Sequence, residues 1–147
     1  MAAKLSTGLV EYLAGSGSLR DAFNGDAKLS IYAGTPPAGA DLASSGHTLL
    51  CEILADGTDP LEFESDVSNG VVTKLAAQTW SGTNLASGTA TWFRLELLGD
   101  DKSEDSGAIR LQGNIGTLSG EMIMTNPTLT MGNVKQIENF RMAIPAA

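Results

Sequence analysis

The chain has 147 residues, 42% of them hydrophobic and 5% aromatic, and a formal charge of −8 from 17 acidic and 9 basic residues. That length fits one domain with a core that needs neither metal nor disulfide. The acidic balance, with no three basic residues in a row, opposes nucleic-acid binding, which relies on Lys and Arg neutralising phosphates.

The N-terminus, MAAKLSTGLVEYLAG, lacks an unbroken apolar signal core, because Glu11 and Tyr12 interrupt it. No run of about 18 apolar residues would span a membrane. The expectation is a protein kept in the cytosol that makes it, or released by lysis. Ser6 is placed to cap a helix carrying Leu9, Val10 and Leu13 on one face and ending at Gly15. Ser18 caps a second short helix, LRDAF, whose Leu19 and Phe23 share a face before Asn24-Gly25 stops it.

From Ala27 the period changes to two. KLSIYAG sets Leu29, Ile31 and Ala33 against Lys28, Ser30 and Tyr32, and Pro36-Pro37 end the strand, since neither can donate a ladder hydrogen bond. TLLCEIL at 48–54 is the next strand, LEFE at 61–64 a short one, and Asn69-Gly70 a turn into VVTKLA. TATWFRLELL at 89–98 alternates most clearly, with Phe93, Leu95 and Leu97 opposite Trp92, Arg94 and Glu96. AIRLQG at 108–113, a turn over 116–119, GEMIMT at 120–125, TLTM at 128–131 and FRMAI at 140–144 complete the series. About eight short strands with frequent turns predict a mainly β protein, an antiparallel β-sandwich or barrel-like body at 27–147 with a helical segment, 1–25, packed on it as one domain. No helical crossover long enough for a parallel sheet separates the strands.

Little in the chain suggests catalysis. His47 is the only histidine, in the polar loop SSGHT, and strand rise would hold it about 13 Å from Cys51. Cys51, the single cysteine, sits in apolar LLCEI and reads as a buried small side chain. One His and one Cys cannot supply a zinc set, and neither GSGS at 15–18 nor GTLSG at 116–120 has the spacing of a nucleophile elbow. GSGS also lacks the Lys-Ser/Thr ending of a phosphate loop. In GDDKSEDSG at 99–107, Asp101, Ser103 and Asp105 have the alternation of a calcium loop, but glycine comes one position late and Gln112 stands at the twelfth. A solvated hairpin tip is the simpler reading. Glu62 with Glu64, and Glu11 with Asp21, read as surface acids. No catalytic, cofactor or metal residue is assigned. Trp80 and Trp92 could form a sugar-stacking platform or a protein-contact surface, with Trp92 partly exposed beside Arg94 and Glu96; packing under the N-terminal helices is the plainer reading.

Residues 5–53, LSTGLVEYLAGSGSLRDAFNGDAKLSIYAGTPPAGADLASSGHTLLCEI, resemble a group of small virion proteins of tailed bacteriophages. The shared features are a Leu-Ser-Thr-Gly helix, a Gly-Ser-Leu-Arg-Asp turn, a Leu-x-Ile-Tyr-x-Gly strand and a Pro-Ala-x-Ala-Asp elbow. GTATWFRL at 88–95 is similar to a second shared stretch, and together the two cover about two fifths of the chain. The resemblance implies a structural virion protein, a capsid decoration or cement protein on the head surface, with a neck, connector or tail-tube subunit as the alternative. Its implied partners are the major capsid protein or other virion proteins, in a homo-oligomer for which a trimer is expected. The stiff diproline elbow suits a loop that docks in one shape. Thr35, Pro36, Pro37, Asp41, Trp92 and Arg94 are therefore the candidate protein contacts. This reading expects that deleting 35–46 abolishes attachment but leaves the fold largely intact.

Overall fold

A computed structural model describes residues 3–67, 70–116, 122–124 and 126–143. Asn69 of the Asn69-Gly70 turn, residues 117–119 of the later turn, parts of the 116–120 and 120–125 stretches, and residue 144 lie outside the described residues.

β1 (Lys4–Leu5) runs into α1 (Thr7–Gly15) through Ser6, which is fully buried. The Ser6 hydroxyl accepts from the N–H of Leu9 at 3.2 Å, capping the helix, and from the N–H of Arg110 at 2.9 Å. It donates to the Ala108 carbonyl at 2.6 Å. One side chain thus starts the helix, worth about 1 kcal/mol as a cap, and ties it to the backbone of Ala108 and Arg110. Gly8 follows because α1 lies directly on backbone. A Cβ there would collide with the carbonyls of Gly107 and Ala108. Leu9 is fully buried, but Val10 is 51% exposed, so the expected apolar face is narrower than Leu9, Val10 and Leu13 together. α2 (Leu19–Phe23) has a full capping box between Ser18 and Asp21, and both Leu19 and Phe23 enter the core.

The large sheet has the strand order β1, β8 (Arg110–Gly116), β7 (Trp92–Leu97), β2 (Ala27–Ala33), β3 (Thr48–Ala55), β5 (Trp80–Thr83), β11 (Val134–Ile137), with β9 (Met122–Ile123) also on β8. All its pairings are antiparallel except β8 with β9. The path is open, from β1 to β11. β4 (Val71–Thr73) pairs with β12 (Arg141–Ala143), and β6 (Gly88–Thr89) with β10 (Thr128–Leu129). The chain is mainly β, with a large antiparallel sheet and two short helices. Residues 61–64 are not a strand. Leu61 bridges Ala27 and Phe63 bridges Lys74, so successive residues serve different neighbours.

Register explains the core. Leu29 stands between Leu95 and Ile53, Ile31 between Phe93 and Cys51, and Leu95 opposes Leu111. These apolar side chains share one face and are buried, and Gly113, opposite Phe93, adds none. Phe140, which leads into β12, closes this core. It meets Phe93 edge-on with centroids 5.7 Å apart and lies 5.6 Å from Trp80, which Phe63 meets at 5.4 Å.

Candidate functional site: a polar layer beneath two loops

The opposite face of the same strands carries a polar array. Across β2, β7 and β8, Lys28 aligns with Glu96 and Arg110, Ser30 with Arg94 and Gln112, and Tyr32 with Trp92 and Asn114. Its polar composition reads as a face turned to solvent. The structure buries it. Ser30, Tyr32, Trp92, Arg94 and Glu96 are fully buried, and Arg110 and Gln112 nearly so.

Two loops, 34–47 and 99–107, do the covering. They are joined to each other: the Ser44 N–H donates to the Lys102 carbonyl and the Asp105 N–H to the Asp41 carbonyl, each at 2.9 Å. The diproline loop then offers carbonyls to the layer below. Gln112 donates to Pro37 at 2.9 Å, Arg110 to Ala40 at 3.1 Å, and Arg94 to Leu42 at 2.9 Å. The Tyr32 hydroxyl donates to Ser44 Oγ at 3.0 Å. At the rim, the Asp41 carboxylate accepts from the N–H and hydroxyl of Thr7 at 2.7 and 2.6 Å, which holds its pKa below the usual range. Lys4 donates to the Ala38 carbonyl at 2.9 Å. The Pro residues suit this role: they fix φ in a segment whose carbonyls must meet buried donors.

The second loop contributes a peg. Lys102 has φ +67, a left-handed conformation rare for a side-chain-bearing residue. It points Nζ into the layer, 2.9 Å from Glu96, 3.0 Å from Glu52 and 2.9 Å from Ser30 Oγ. Burial works against its charge, but the charge of Glu96 and the hydrogen bonds to Glu96 and Glu52 outweigh it, and the Lys102 pKa rises above its ordinary value. For Glu96 the balance runs the other way: burial pushes its carboxyl up despite Lys102. Asp100 forks onto Arg110, with contacts of 2.7 and 2.8 Å. Burial would raise the Asp100 carboxyl, but the Arg110 bonds hold it below its usual value. Arg94 Nε and Glu96 Oε1 have no hydrogen-bond partner among the described residues.

These observations correct several expectations. Trp92 is not partly exposed but fully buried. It stacks on Tyr32 with centroids 4.1 Å apart and planes 9° from parallel, His47 meets its edge at 5.3 Å, and Arg94 lies over it. Trp80 is fully buried in the core, so the two indoles form no sugar platform. Of the six candidate contacts, Trp92, Arg94 and Pro37 are buried within the chain, Pro36 and Asp41 are half-buried, and Thr35 is exposed. The elbow is not a dispensable docking loop. Deleting 35–46 would strip acceptors from Arg94, Arg110 and Gln112, so the fold should not survive intact.

The 99–107 loop is a structural cover, not only a solvated tip. Its Asp101 accepts from the N–H and hydroxyl of Ser103, and Asp105 from the N–H of Gly107. Among the described residues, no group of three or more His, Cys, Asp or Glu side chains is arranged to hold a metal. Cys51 faces the core, and burial pushes its thiol up to about 11, far from a reactive thiolate. Sequence reasoning missed Lys102, Asp100, Arg110 and Gln112. The available signal was charge complementarity across the polar positions of three neighbouring strands, which solvent would not require.

No family model, curated protein or solved structure matches the chain.

Proposed function

We propose that the chain is a structural virion protein of a tailed bacteriophage, a capsid decoration protein that binds the outer surface of the head shell. The observation that carries this reading is the resemblance over 5–53 and 88–95, together with where those stretches sit. They are adjacent in the fold: β2 pairs with β7, Tyr32 stacks on Trp92, and Arg94 donates to Leu42. The shared residues therefore form one unit, made of the sheet centre, the polar layer and the lid above it. A subunit that must keep one shape while it is bound repeatedly gains from such cross-linking, because little conformational freedom is left to lose on docking.

Beneath the lid Lys102 pairs with Glu96 and Arg110 with Asp100, while Arg94 is held by the Leu42 carbonyl and the Gln112 side chain, as suits a structural part. The outer side of the lid, with exposed Thr35, Ala38 and Ser45 and half-buried Pro36 and Asp41, is the proposed contact with the shell. The test is binding of the purified protein to expanded empty shells. The expected result is saturation at a fixed ratio to the shell protein, with raised heat resistance of the particle. Binding confined to the symmetry axis or the tail would favour the neck, connector or tail-tube alternative, and no binding would overturn the virion reading. Thr35→Trp leaves the lid bonds in place and should weaken attachment.

A further inference from the structure

Three residues at the centre of the polar layer have hydrogen-bonding capacity that the chain does not use. Arg94 donates from Nη1 to the Leu42 carbonyl and from Nη2 to Gln112 Oε1, but its buried Nε has no partner among the described residues. Glu96 Oε2 accepts from Lys102 Nζ at 2.9 Å, but Oε1, equally buried, has no partner there either. Ser30 Oγ accepts from the same Nζ at 2.9 Å, and among the described residues no acceptor takes its hydroxyl proton.

The three lie together. Ser30 stands opposite Arg94 in the β2–β7 register, and Glu96 is two residues along the same face of β7. Ser30 Oγ and Glu96 Oε2 share one ammonium group. Yet the orphan donor and acceptor do not meet, since no Arg94 nitrogen comes within 4.0 Å of a Glu96 oxygen. Residues two apart on a strand are rooted about 6.6 Å from each other. Two hydrogen bonds of about 2.8 Å in series suit such a gap better than one.

Charge and space decide what fits. The occupant must accept from a guanidinium and donate to a carboxylate. Glu96 repels an anion and Arg94 a cation. Ser30, Arg94 and Glu96 are each 0% exposed, so the occupant must also be small enough to lie wholly inside. Water meets all three demands, and these partners supply the three hydrogen bonds usual for an internal water.

We propose that one water molecule is built into the polar layer, accepting from Arg94 Nε and the Ser30 hydroxyl and donating to Glu96 Oε1. Arg94 grips the 34–47 loop through Leu42, and Glu96 grips the 99–107 loop through Lys102. The water joins the two grips, so it leaves only when the lid lifts. The site lies within the chain and needs no virion partner.

The test is water–protein cross-relaxation, recorded as NOE and ROE spectra of the isotope-labelled full chain and its Ser30→Ala and Glu96→Leu variants. The Arg94 Hε proton is the probe. The expected result is a cross-peak to water of opposite sign in the two spectra, the mark of water held at least as long as the protein takes to tumble. It should survive in Ser30→Ala, where Arg94 and Glu96 still hold the water, and vanish in Glu96→Leu, which lacks the acceptor. No cross-peak in the wild type, or an Hε signal lost to exchange with solvent, would overturn the proposal. So would loss of the peak in Ser30→Ala, which would mean relay through the hydroxyl, or its retention in folded Glu96→Leu. If Glu96→Leu does not fold, the other two proteins still decide.

Discussion

Arg94 donates to the side-chain oxygen of Gln112 at 2.6 Å across the β7–β8 ladder, and the Gln112 amide nitrogen donates onward to the Pro37 carbonyl at 2.9 Å. The relay runs from the middle of the sheet to the diproline elbow without reaching solvent. It explains why Pro-Pro sits there: the elbow's backbone ends a chain of buried donors.

Arg94→Met should therefore cost about 3 kcal/mol, because it removes a charged donor and leaves Gln112 and the Leu42 carbonyl short of a partner in a buried place. Urea unfolding measures this. A change within about 0.5 kcal/mol, as at an ordinary surface site, would contradict the buried relay.

Lys102 makes two separable predictions. Its left-handed backbone favours glycine, so Lys102→Gly should be less destabilising than Lys102→Ala by about 1 kcal/mol. Its raised pKa sets a pH dependence. A lysine whose folded pKa lies above its unfolded value of about 10.4 contributes stability that is fully present below that pH and is lost as pH rises through the folded value. The wild-type protein should lose more stability above about pH 10.4 than Lys102→Met does. Parallel alkaline limbs in thermal melts of the two proteins would contradict the ion cluster.

Gly8→Ala tests the seat of α1. Alanine improves helix propensity by about 1 kcal/mol, yet its Cβ would strike the carbonyls of Gly107 and Ala108. Backbone cannot yield cheaply, so the variant should be destabilised by about 2 kcal/mol net. A higher unfolding midpoint would show that helix and loop are not in contact.

Much of the core half of the fold was legible in the chain. Leu29, Ile31, Phe93 and Leu95 alternate with polar residues, and Ser6 and Ser18 announce both helices, because these are local signals. β5 and β11 were not legible. Trp80–Thr83 includes Gly82, a poor strand former that is required where the strand passes against the Glu52 carbonyl. Val134–Ile137 carries two polar residues on an edge. The polar layer was unreadable for a different reason. Period-two patterning separates two faces but does not say which one meets water, and here residues far away in the chain decide it. Arg94 looks the same in sequence whether Leu42 or solvent lies above it.

The 34–47 and 99–107 loops form a fastened lid over a buried polar layer. Hydrogen exchange at the amides of Ser44 and Asp105 tests it most directly, since each donates across the seam to the other loop. Both sit in loops with no regular pairing, so protection there has no other source in the fold. Both should exchange as slowly as amides in β2 and β7. Exchange at the rate of an unstructured chain would contradict it.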